Sequence, residues 1–500
     1  MNDAAPHTQQ DAAPLDHAAI RAIMLGIMLA MFLSALEQTI VAPALPTIGR
    51  MLGHVENLSW VVTAYLLANT AVAPLFGKLS DIHGRRVMML IAIVIFIAGS
   101  VVCALAPNMP VLIAGRALQG IGGGGILPLT HTIIGDLVSP IERPRYQAIT
   151  AVMFMAASIV GPLLGGILTD YVHWTLIFWI NLPLGLLALV LTDKYLRRLP
   201  RNDRPHQLDV AGGALMVLAA LCLMLAMAWG GTRFPWTSPI ILGLMAGSAL
   251  LWLAFALRLG RAPEPFIPLS VLREPTVTAV VIAGFFSIGV VIGLSIFLPL
   301  YLELVLGLTP SGSGTALIVF LAAATAGSFA AGRLMARIPH YKRVPIGGMT
   351  LGILMLTGFA LKPAGLSLLE VVALLAIGGA GLGVMYPVTT TIIQNVVKPH
   401  QLGIATGALN FFRLLGGSII VAAFGAILLG GVGAAGQGLT LEVLSGAARS
   451  GVDLAAPFRF AFAAGAIFLA LGLIAVLVIE ETPLRGPAKQ AMEQGTAPAE

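Results

Sequence analysis

Charged residues are scarce in this 500-residue sequence. Asp, Glu, Lys and Arg make up 10% of it, whereas soluble domains carry roughly a quarter. Hydrophobic residues make up 58%, and the mean hydropathy is +0.95. This balance excludes a protein whose surface lies mainly in water.

The sequence also lacks the residues that several kinds of chemistry require. Cys103 and Cys222 each lie inside an apolar run, which predicts neither an extracytoplasmic disulfide nor a CxxC metal site. The nine histidines are scattered, and no GxxxxGK[ST] loop and no nucleophile with its base occurs. We therefore expect no metal, no bound cofactor and no enzymatic activity. Basic residues are dispersed over many loops, which argues against nucleic acid as a partner.

Long apolar runs recur along the whole sequence. A helix needs about 20 mostly apolar residues to cross the hydrocarbon core, and the alternating pattern of a membrane barrel is absent. We predict an all-α integral membrane protein with fourteen spans. They are 20–42, 58–78, 87–106, 110–134, 147–170, 175–193, 210–229, 239–258, 276–301, 312–334, 344–362, 367–394, 402–430 and 457–480.

The spans form two sets of six separated by a pair. The predicted units are a cytoplasmic tail (1–19), a six-helix bundle (20–193), a basic linker with two additional helices (194–275), a second six-helix bundle (276–480) and a cytoplasmic tail (481–500). Lys and Arg concentrate in alternate loops, so the positive-inside rule predicts a multi-pass protein of the cell (inner) membrane with both termini cytoplasmic. A weak repeat, Gly77–Asp81 and Gly332–Ala336, supports two related halves.

The loop after the second span contains GKLSDIHGRR, from Gly77 to Arg86. Gly77 and Gly84 permit close backbone approach and a tight turn. Asp81 can cap a helix start, and Arg85 and Arg86 offer bidentate donors. Such a cluster could latch two bundles together. The alternative is that the arginines only follow the positive-inside rule.

These residues resemble motif A of the major facilitator superfamily. LIAGRALQGIGGG, with Arg116 and Gln119, resembles motif B, and AASIVGPLLGG resembles motif C, the antiporter signature. The motif C residues are Ala157, Gly161, Pro162, Gly165 and Gly166, with alanine replacing the usual leading glycine. Small residues four apart also suit plain helix packing, so antiport is implied by the resemblance alone.

Two further segments, LEQTIVAPALPTI and WTLIFWINLPLG, resemble the first-helix and sixth-helix signatures of the fourteen-helix drug:proton antiporters. This resemblance implies the major facilitator fold, with a central cavity open alternately to each side. It also implies proton-coupled export of amphipathic or cationic drugs, driven by the proton motive force. The family usually has aspartate in place of Glu37 and glutamine in place of Glu303.

Other readings of the function stay open. One is a dedicated exporter of a single metabolite or lipid-like compound, and another is uptake, since motifs A and B serve importers equally. A membrane-embedded sensor or enzyme, with 431–456 as a recognition loop, is the alternative of another class. The expected partners are a small-molecule substrate, protons and the lipid bilayer. A monomer is expected, and a periplasmic adaptor protein stays open.

Ionisable residues inside the spans are the main candidate functional residues, since a charge in hydrocarbon is costly unless it is paired or hydrated. Glu37 lies about 24 Å along the first span, and Arg116 about 9 Å inward from the outer end of the fourth. The two are therefore predicted at comparable depth. We interpret Glu37 as the principal carboxylate for a proton or a cationic substrate. The alternatives are a structural partner of Arg116 and a water-exposed acid.

Secondary cavity candidates follow from the same reasoning. Arg413 lies deep in the thirteenth span with no obvious acid beside it. Glu303 is predicted at a wet entrance, because Pro299 is expected to interrupt its helix. His131 is expected to be a packing donor rather than a proton carrier. The other candidates are Asn410, Gln119, Met153 and Phe412.

Overall fold

The computed structural model describes residues 17–53, 57–197, 209–231, 233–268, 271, 273–338, 340–431, 453–479 and 481. The predicted tails 1–19 and 481–500 lie mostly outside these residues, as do much of the basic linker and most of 431–456.

The described residues form helices in nearly all of their length, linked by short turns. The helices are α1 (His17–Ile40), α2 (Leu45–Leu52), α3 (Leu58–His83), α4 (Arg85–Ala104), α5 (Met109–Leu137), α6 (Arg143–Tyr171), α7 (Leu176–Trp179), α8 (Asn181–Leu196), α9 (Val210–Trp229), α10 (Pro239–Leu259), α11 (Pro275–Leu304), α12 (Pro310–Arg337), α13 (Arg343–Leu361), α14 (Leu368–Gly383), α15 (Met385–Val396), α16 (Leu402–Gly431) and α17 (Ala455–Val478).

Thirteen spans in the described part of the chain are long and apolar enough to cross a membrane. Each of the thirteen matches one predicted span. The predicted span without a counterpart among them is 110–134, which corresponds to α5. Helix α5 carries Arg116, Gln119 and a run of glycines, which lower its hydropathy. At 29 residues it is about 43 Å long and largely buried, so neighbouring helices and not lipid surround its polar groups. It completes the fourteen-helix fold.

Prolines act differently in different helices. Helix α1 ends at Ile40, close to the predicted end of the first span, and a 3₁₀ turn containing Pro43 leads into α2. Pro299, by contrast, lies inside the continuous helix α11, and the expectation that it interrupts this helix was wrong. Membrane helices tolerate proline because neighbouring groups satisfy the freed carbonyl.

Two bundles with separate apolar cores make up the fold. Residues of α1, α3, α4, α5 and α8 form the main core of the first bundle, α1–α8. Residues of all seven helices α11–α17 form the cores of the second bundle. The boundary positions of the predicted domains stay predictions.

The additional pair, α9 and α10, packs across the seam where α3 meets α16. One apolar cluster joins Met216 and Phe255 of the pair to Leu75 of α3 and Ile404 of α16. A second cluster joins Met224 to Leu67 and Phe411 further along the same seam. The pair therefore contacts both bundles.

Asp209 begins this pair by capping α9. Its Oδ1 accepts from the Gly212 N–H at 2.9 Å and from Arg258 Nε at 2.6 Å. Although burial raises the pKa of Asp209, these hydrogen bonds outweigh it and hold the pKa below its usual value. The carboxylate thus ties the first turn of α9 to the last turn of α10.

Candidate transport site

Glu37 and Arg116 form a buried ion pair. Arg116 Nη1 donates to Glu37 Oε1, and their side chains are 0% and 1% exposed. The guanidinium also donates through Nε to the Val61 carbonyl at 2.8 Å and lies 4.5 Å over the Tyr65 ring. The sequence predicted their equal depth, and the structure brings them into contact.

Amide and hydroxyl side chains extend this pair into a hydrogen-bonded network. Asn181 Nδ2 donates to Glu37 Oε2 at 2.5 Å, and Arg116 Nη1 donates to Gln119 Oε1 at 2.7 Å. Gln119 Nε2 in turn donates to Ser100 Oγ at 2.8 Å. Asn181 and Ser100 were not predicted. Asn181 begins α8 within the quoted sixth-helix segment, and a polar residue inside that apolar run was a usable signal.

Every described hydrogen-bond partner of this network comes from the first bundle. The helices involved are α1, α3, α4, α5 and α8, so five elements hold one carboxylate. In the low dielectric of this interior, neither charge is stable without the other. A change in the pairing or protonation of Glu37 would therefore alter the hydrogen bonds between all five helices.

The motif C segment of α6 packs against α1 just beyond Glu37. Thr39 Oγ1 donates to the Ala157 carbonyl at 3.0 Å. A Cβ added at Gly161 would lie 2.0 Å from Thr39 Oγ1, and one at Gly165 would lie 2.1 Å from the Ile40 carbonyl oxygen. Such contacts require glycine. These small residues thus fix α6 to the helix that carries Glu37.

The other two motif C residues have different surroundings. Pro162 is exposed on the outside of α6. A Cβ added at Gly166 would have no neighbour within 4 Å. Only part of the motif makes the close helix contact.

The motif A residues join the two bundles. Asp81 accepts from the backbone N–H groups of Gly403 (3.0 Å) and Ile404 (2.9 Å) at the start of α16. It thereby caps a helix of the opposite bundle, where the helix dipole favours an anion. A Cβ added at Gly77 would lie 2.3 Å from the Gly403 carbonyl oxygen, so the backbones touch.

Arginines of motif A hold this contact from the first bundle. Arg85 donates to Asp81 at 2.5 Å and, through Nε, to Asp136 at 2.8 Å. Arg86 pairs with Asp193 at the end of α8. Gly84 has φ +87° between α3 and α4, a conformation that favours glycine. These residues do more than follow the positive-inside rule, because Arg85 pairs with the Asp81 carboxylate that caps α16 of the opposite bundle.

The weak repeat occupies the corresponding place on the second seam, between α6 and α12. A Cβ added at Gly332 would lie 2.9 Å from the Pro144 carbonyl oxygen at the start of α6. Alanine stands at position 336, where the first copy has Asp81. The second seam therefore has the close backbone contact without the capping carboxylate.

The α3–α16 seam widens away from Asp81. A cavity of about 230 Å³ lies between Leu66 and Leu67 of α3 and Val421 and Gly425 of α16, with Trp236 at its side. Since Val61 of the Glu37 network lies near the start of α3, this cavity and the network lie toward the same end of the helix. The backbones of the two bundles touch at the Asp81 end of this seam, and the cavity, which α9 also lines, lies toward the other end.

Arg413 lies in a second buried polar group. Its Nη2 donates to Thr389 Oγ1 at 2.5 Å and Thr390 Oγ1 at 2.9 Å, and its Nη1 donates to Asn410 Oδ1 at 3.2 Å. Its Cζ lies 4.2 Å over the Tyr386 ring. In the described residues no carboxylate pairs with it.

Tyr386 connects this group to His131. The hydroxyl lies 3.1 Å from His131 Nε2, and His131 Nδ1 hydrogen-bonds with Gln147 Oε1. His131 thus bridges the bundles, a contact that sequence reasoning missed together with Tyr386. A tyrosine in the middle of an apolar span was the available signal.

The remaining candidates lie apart from both groups. Glu303 is half-buried and accepts from Ser313 Oγ at 2.6 Å. Met153 packs against the first core. Phe412 lines an apolar cavity of about 440 Å³ between α11, α15, α16 and the segment before α11. None of these three contacts Glu37 or Arg413 through a described hydrogen bond.

Comparison with known proteins agrees with this fold. The Major Facilitator Superfamily model matches residues 27–421. The chain is 34% identical over 409 residues to multidrug transporter protein MdtP of Bacillus subtilis, covering 81% of this chain and 75% of that protein. It is 31% identical over 419 residues to multidrug resistance protein 3 of the same organism, covering 83% and 81%. The chain belongs to the major facilitator superfamily and is a membrane transporter.

Solved structures show the same fold at low sequence identity. A bacterial homologue of the iron transporter ferroportin, in an outward-facing state, superimposes with a TM-score of 0.64 at 13% identity, covering 92% of this chain and 98% of that chain. The proton:xylose symporter XylE superimposes with a TM-score of 0.62 at 14% identity, covering 94% and 98%. The family and the fold point to transport rather than catalysis.

Proposed function

We propose that the protein exports amphipathic, cationic small molecules such as drugs by alternating access, in exchange for inward-moving protons. The observation that carries this proposal is the enclosed Glu37–Arg116 pair against the motif C packing of α6. A carboxylate held by a guanidinium stays ionised, and the same carboxylate favours a proton once it is buried without that partner. Movement of either helix would then couple proton binding to conformation.

The contacts between the bundles support alternating access. Asp81 and Gly77 close one end of the α3–α16 seam, whereas a cavity lies at the other end. The Asp81 contacts would have to break for the closed end to open. Rocking of two bundles about a central site is how such repeated folds transport.

The substrate class is supported by an apolar cavity and by the relatives. The 440 Å³ cavity is lined by Phe285, Phe286, Phe412 and aliphatic side chains, with Thr278 as its polar member. Its size suits the apolar part of a small molecule. Two relatives are named as multidrug proteins, and dotC of Dothistroma septosporum, 33% identical over 412 residues, is named an efflux pump. This favours export of several amphipathic compounds over one dedicated metabolite.

Proteoliposomes with an imposed pH gradient test this proposal. The wild type should move a lipophilic cationic dye against its gradient, with counterflow of protons. Glu37→Gln should abolish the pH-driven movement while the protein still folds and binds dye. Glu303→Gln, which changes a half-buried acid of the other bundle, is the matched control and should retain transport. Unchanged transport by Glu37→Gln would disprove the assigned role of this carboxylate.

The rest of the proposal concerns the cellular setting. We place the protein in the inner cell membrane as a monomer with cytoplasmic termini and no bound cofactor, with the proton gradient as its energy source. Dye uptake without proton movement would contradict antiport and favour the dedicated-exporter or importer alternatives. The same proteoliposomes distinguish these results, because dye movement and proton movement are both measured in them.

A further inference from the structure

Arg413 is a buried cation without a carboxylate partner among the described residues. Its side chain is 1% exposed, and its described partners are hydroxyls, a carbonyl, an amide oxygen and an aromatic ring. Burying a guanidinium without a carboxylate is costly. Arg116, at similar burial in the first bundle, has Glu37 as its counter-ion. The second bundle therefore holds a positive charge that an anion could neutralise.

Two donors beside this charge have no partner in the described residues. Arg413 Nε and Asn410 Nδ2 are both buried and make no hydrogen bond. The orientation of the Asn410 amide follows from its oxygen, which accepts from Arg413 Nη1 and lies 3.4 Å from the Tyr386 hydroxyl. Its NH₂ group is thus left as a free donor. Because these two unsatisfied donors lie one helical turn apart, a carboxylate could accept a hydrogen bond from each of them.

A glycine lies beside the Nε atom. Gly284 of α11 faces it, and a Cβ added there would lie 3.6 Å from Arg413 Nε and 3.1 Å from Leu409 Cδ1. Glycine at this position places no side chain against the guanidinium edge, although the edge itself is buried. Phe285 and Phe412, the neighbours of Gly284 and Arg413 in the sequence, line the 440 Å³ apolar cavity. An apolar site and unsatisfied donors thus lie on the same two helices at the same level.

We propose that Arg413 and Asn410 form an anion-recognition subsite that binds a carboxylate of the substrate, so that the transporter accepts zwitterionic amphipaths as well as cations. This inference rests on the proposed export of amphipathic small molecules and names a second substrate class for it. The apolar body of the substrate would occupy the cavity beside Phe285 and Phe412. Its carboxylate would accept from Arg413 Nε and Asn410 Nδ2.

Equilibrium binding to the purified full-length protein tests the subsite without requiring energy coupling. The probes are a rhodamine dye with a free carboxylate and the methyl ester of the same dye, followed by fluorescence polarisation. Arg413→Gln should raise the Kd of the acid about tenfold or more, as expected for a lost charged hydrogen bond. The Kd of the ester should change less than about twofold.

A second variant guards against a folding defect in Arg413→Gln. Gly284→Ala keeps the guanidinium but places a methyl group 3.6 Å from Nε, where the carboxylate would have to bind, and it should weaken binding of the acid alone by several fold. Gly347→Ala, whose Cβ would have no neighbour within 4 Å, is the matched control and should leave both dyes unaffected.

Each other outcome has a distinct meaning. Equal loss of both dyes in Arg413→Gln and in Gly284→Ala would overturn the subsite, because it would assign these residues to structure. Binding of the ester alone by the wild type would overturn it while leaving the export function standing. Binding of neither dye would count against the proposed export function itself. Displacement of the acid by excess acetate, with the ester retained, would overturn the assignment to a substrate group in favour of small free anions.

Discussion

Replacing Asp81 by asparagine should open the closed end of the transporter. Asp81→Asn keeps the size of the side chain but removes its charge and turns one acceptor oxygen into a donor. In the native protein both oxygens are used, by the N–H groups of Gly403 and Ile404 and by Arg85. The amide can satisfy only one of the two N–H groups, and Arg85 is left with Asp136 and the Ser80 hydroxyl.

The size of the effect follows from these contacts. A hydrogen bond to a charged group contributes about 1.5–3 kcal/mol, and an anion at a helix N-terminus contributes about 0.3–1 kcal/mol. Loss of one such bond and of the charge weakens the contact by about 3 kcal/mol. Since every 1.4 kcal/mol is tenfold, the ratio of closed to open forms should fall by roughly two orders of magnitude.

Double electron–electron resonance between two spin labels can measure this shift. Cys103 and Cys222 are the only native cysteines, so a cysteine-free background needs two changes. Labels attached through His83→Cys and Lys398→Cys, both at exposed positions on opposite bundles, report the separation at the Asp81 end. Asp81→Asn should populate a longer distance.

Asp136→Asn is the matched control for this experiment. It also removes a carboxylate from Arg85, but Asp136 and Arg85 both belong to the first bundle. Its distance distribution should stay that of the wild type. If Asp81→Asn gave the same distribution as this control, the contact with α16 would not hold the bundles together, and the reasoning would be refuted.

Three further predictions concern helix packing, the ion pair and the additional helices. Gly161→Ala should impair transport, because its Cβ would lie 2.0 Å from a hydroxyl of α1, whereas Gly166→Ala, with no neighbour within 4 Å, should keep wild-type transport in the same vesicle assay. Glu37→Gln alone should cost about 3–5 kcal/mol of stability by leaving Arg116 buried and unpaired. Glu37→Gln combined with Arg116→Gln should cost less, and thermal unfolding in detergent compares the two. Asp209, whose pKa is held low, stabilises the fold above the usual carboxyl pKa and loses this effect as pH falls through its own pKa. The difference in Tm between wild type and Asp209→Asn should therefore shrink in acid, and a constant difference would contradict this.

Much of the site could be anticipated where a residue type alone is informative. Charges in apolar spans drew attention to Glu37, Arg116 and Arg413, and depth along each helix placed the first two at one level. Glycine spacing indicated the close contact of α6, although only Gly161 and Gly165 make it. Residue type was informative here because a charge or a glycine in a membrane helix has few structural explanations, whereas the roles of these residues in transport stay predictions.

Partners contributed by distant helices could not be predicted in the same way. Asn181 and Tyr386 are ordinary polar residues of apolar spans, and only packing brings them to Glu37 and His131. The contact of Asp81 with α16 depends on the relation between the bundles, which a single sequence does not encode locally. Helix α5 was predicted as a span although its composition is poor for one, because the run of glycines lowers hydropathy but suits close packing.

Helices α9 and α10 make access from the bilayer unequal on the two sides of the protein. They cover the α3–α16 seam through Met216 and Met224 of α9 and Phe255 of α10. In the part of the chain that the structure describes, the α6–α12 seam has alanine, at position 336, in the place of the capping Asp81. A compound dissolved in the lipid that enters between the bundles would therefore meet the weaker barrier at the α6–α12 side. We therefore expect the two additional helices to leave the α6–α12 side as the preferred lateral entrance.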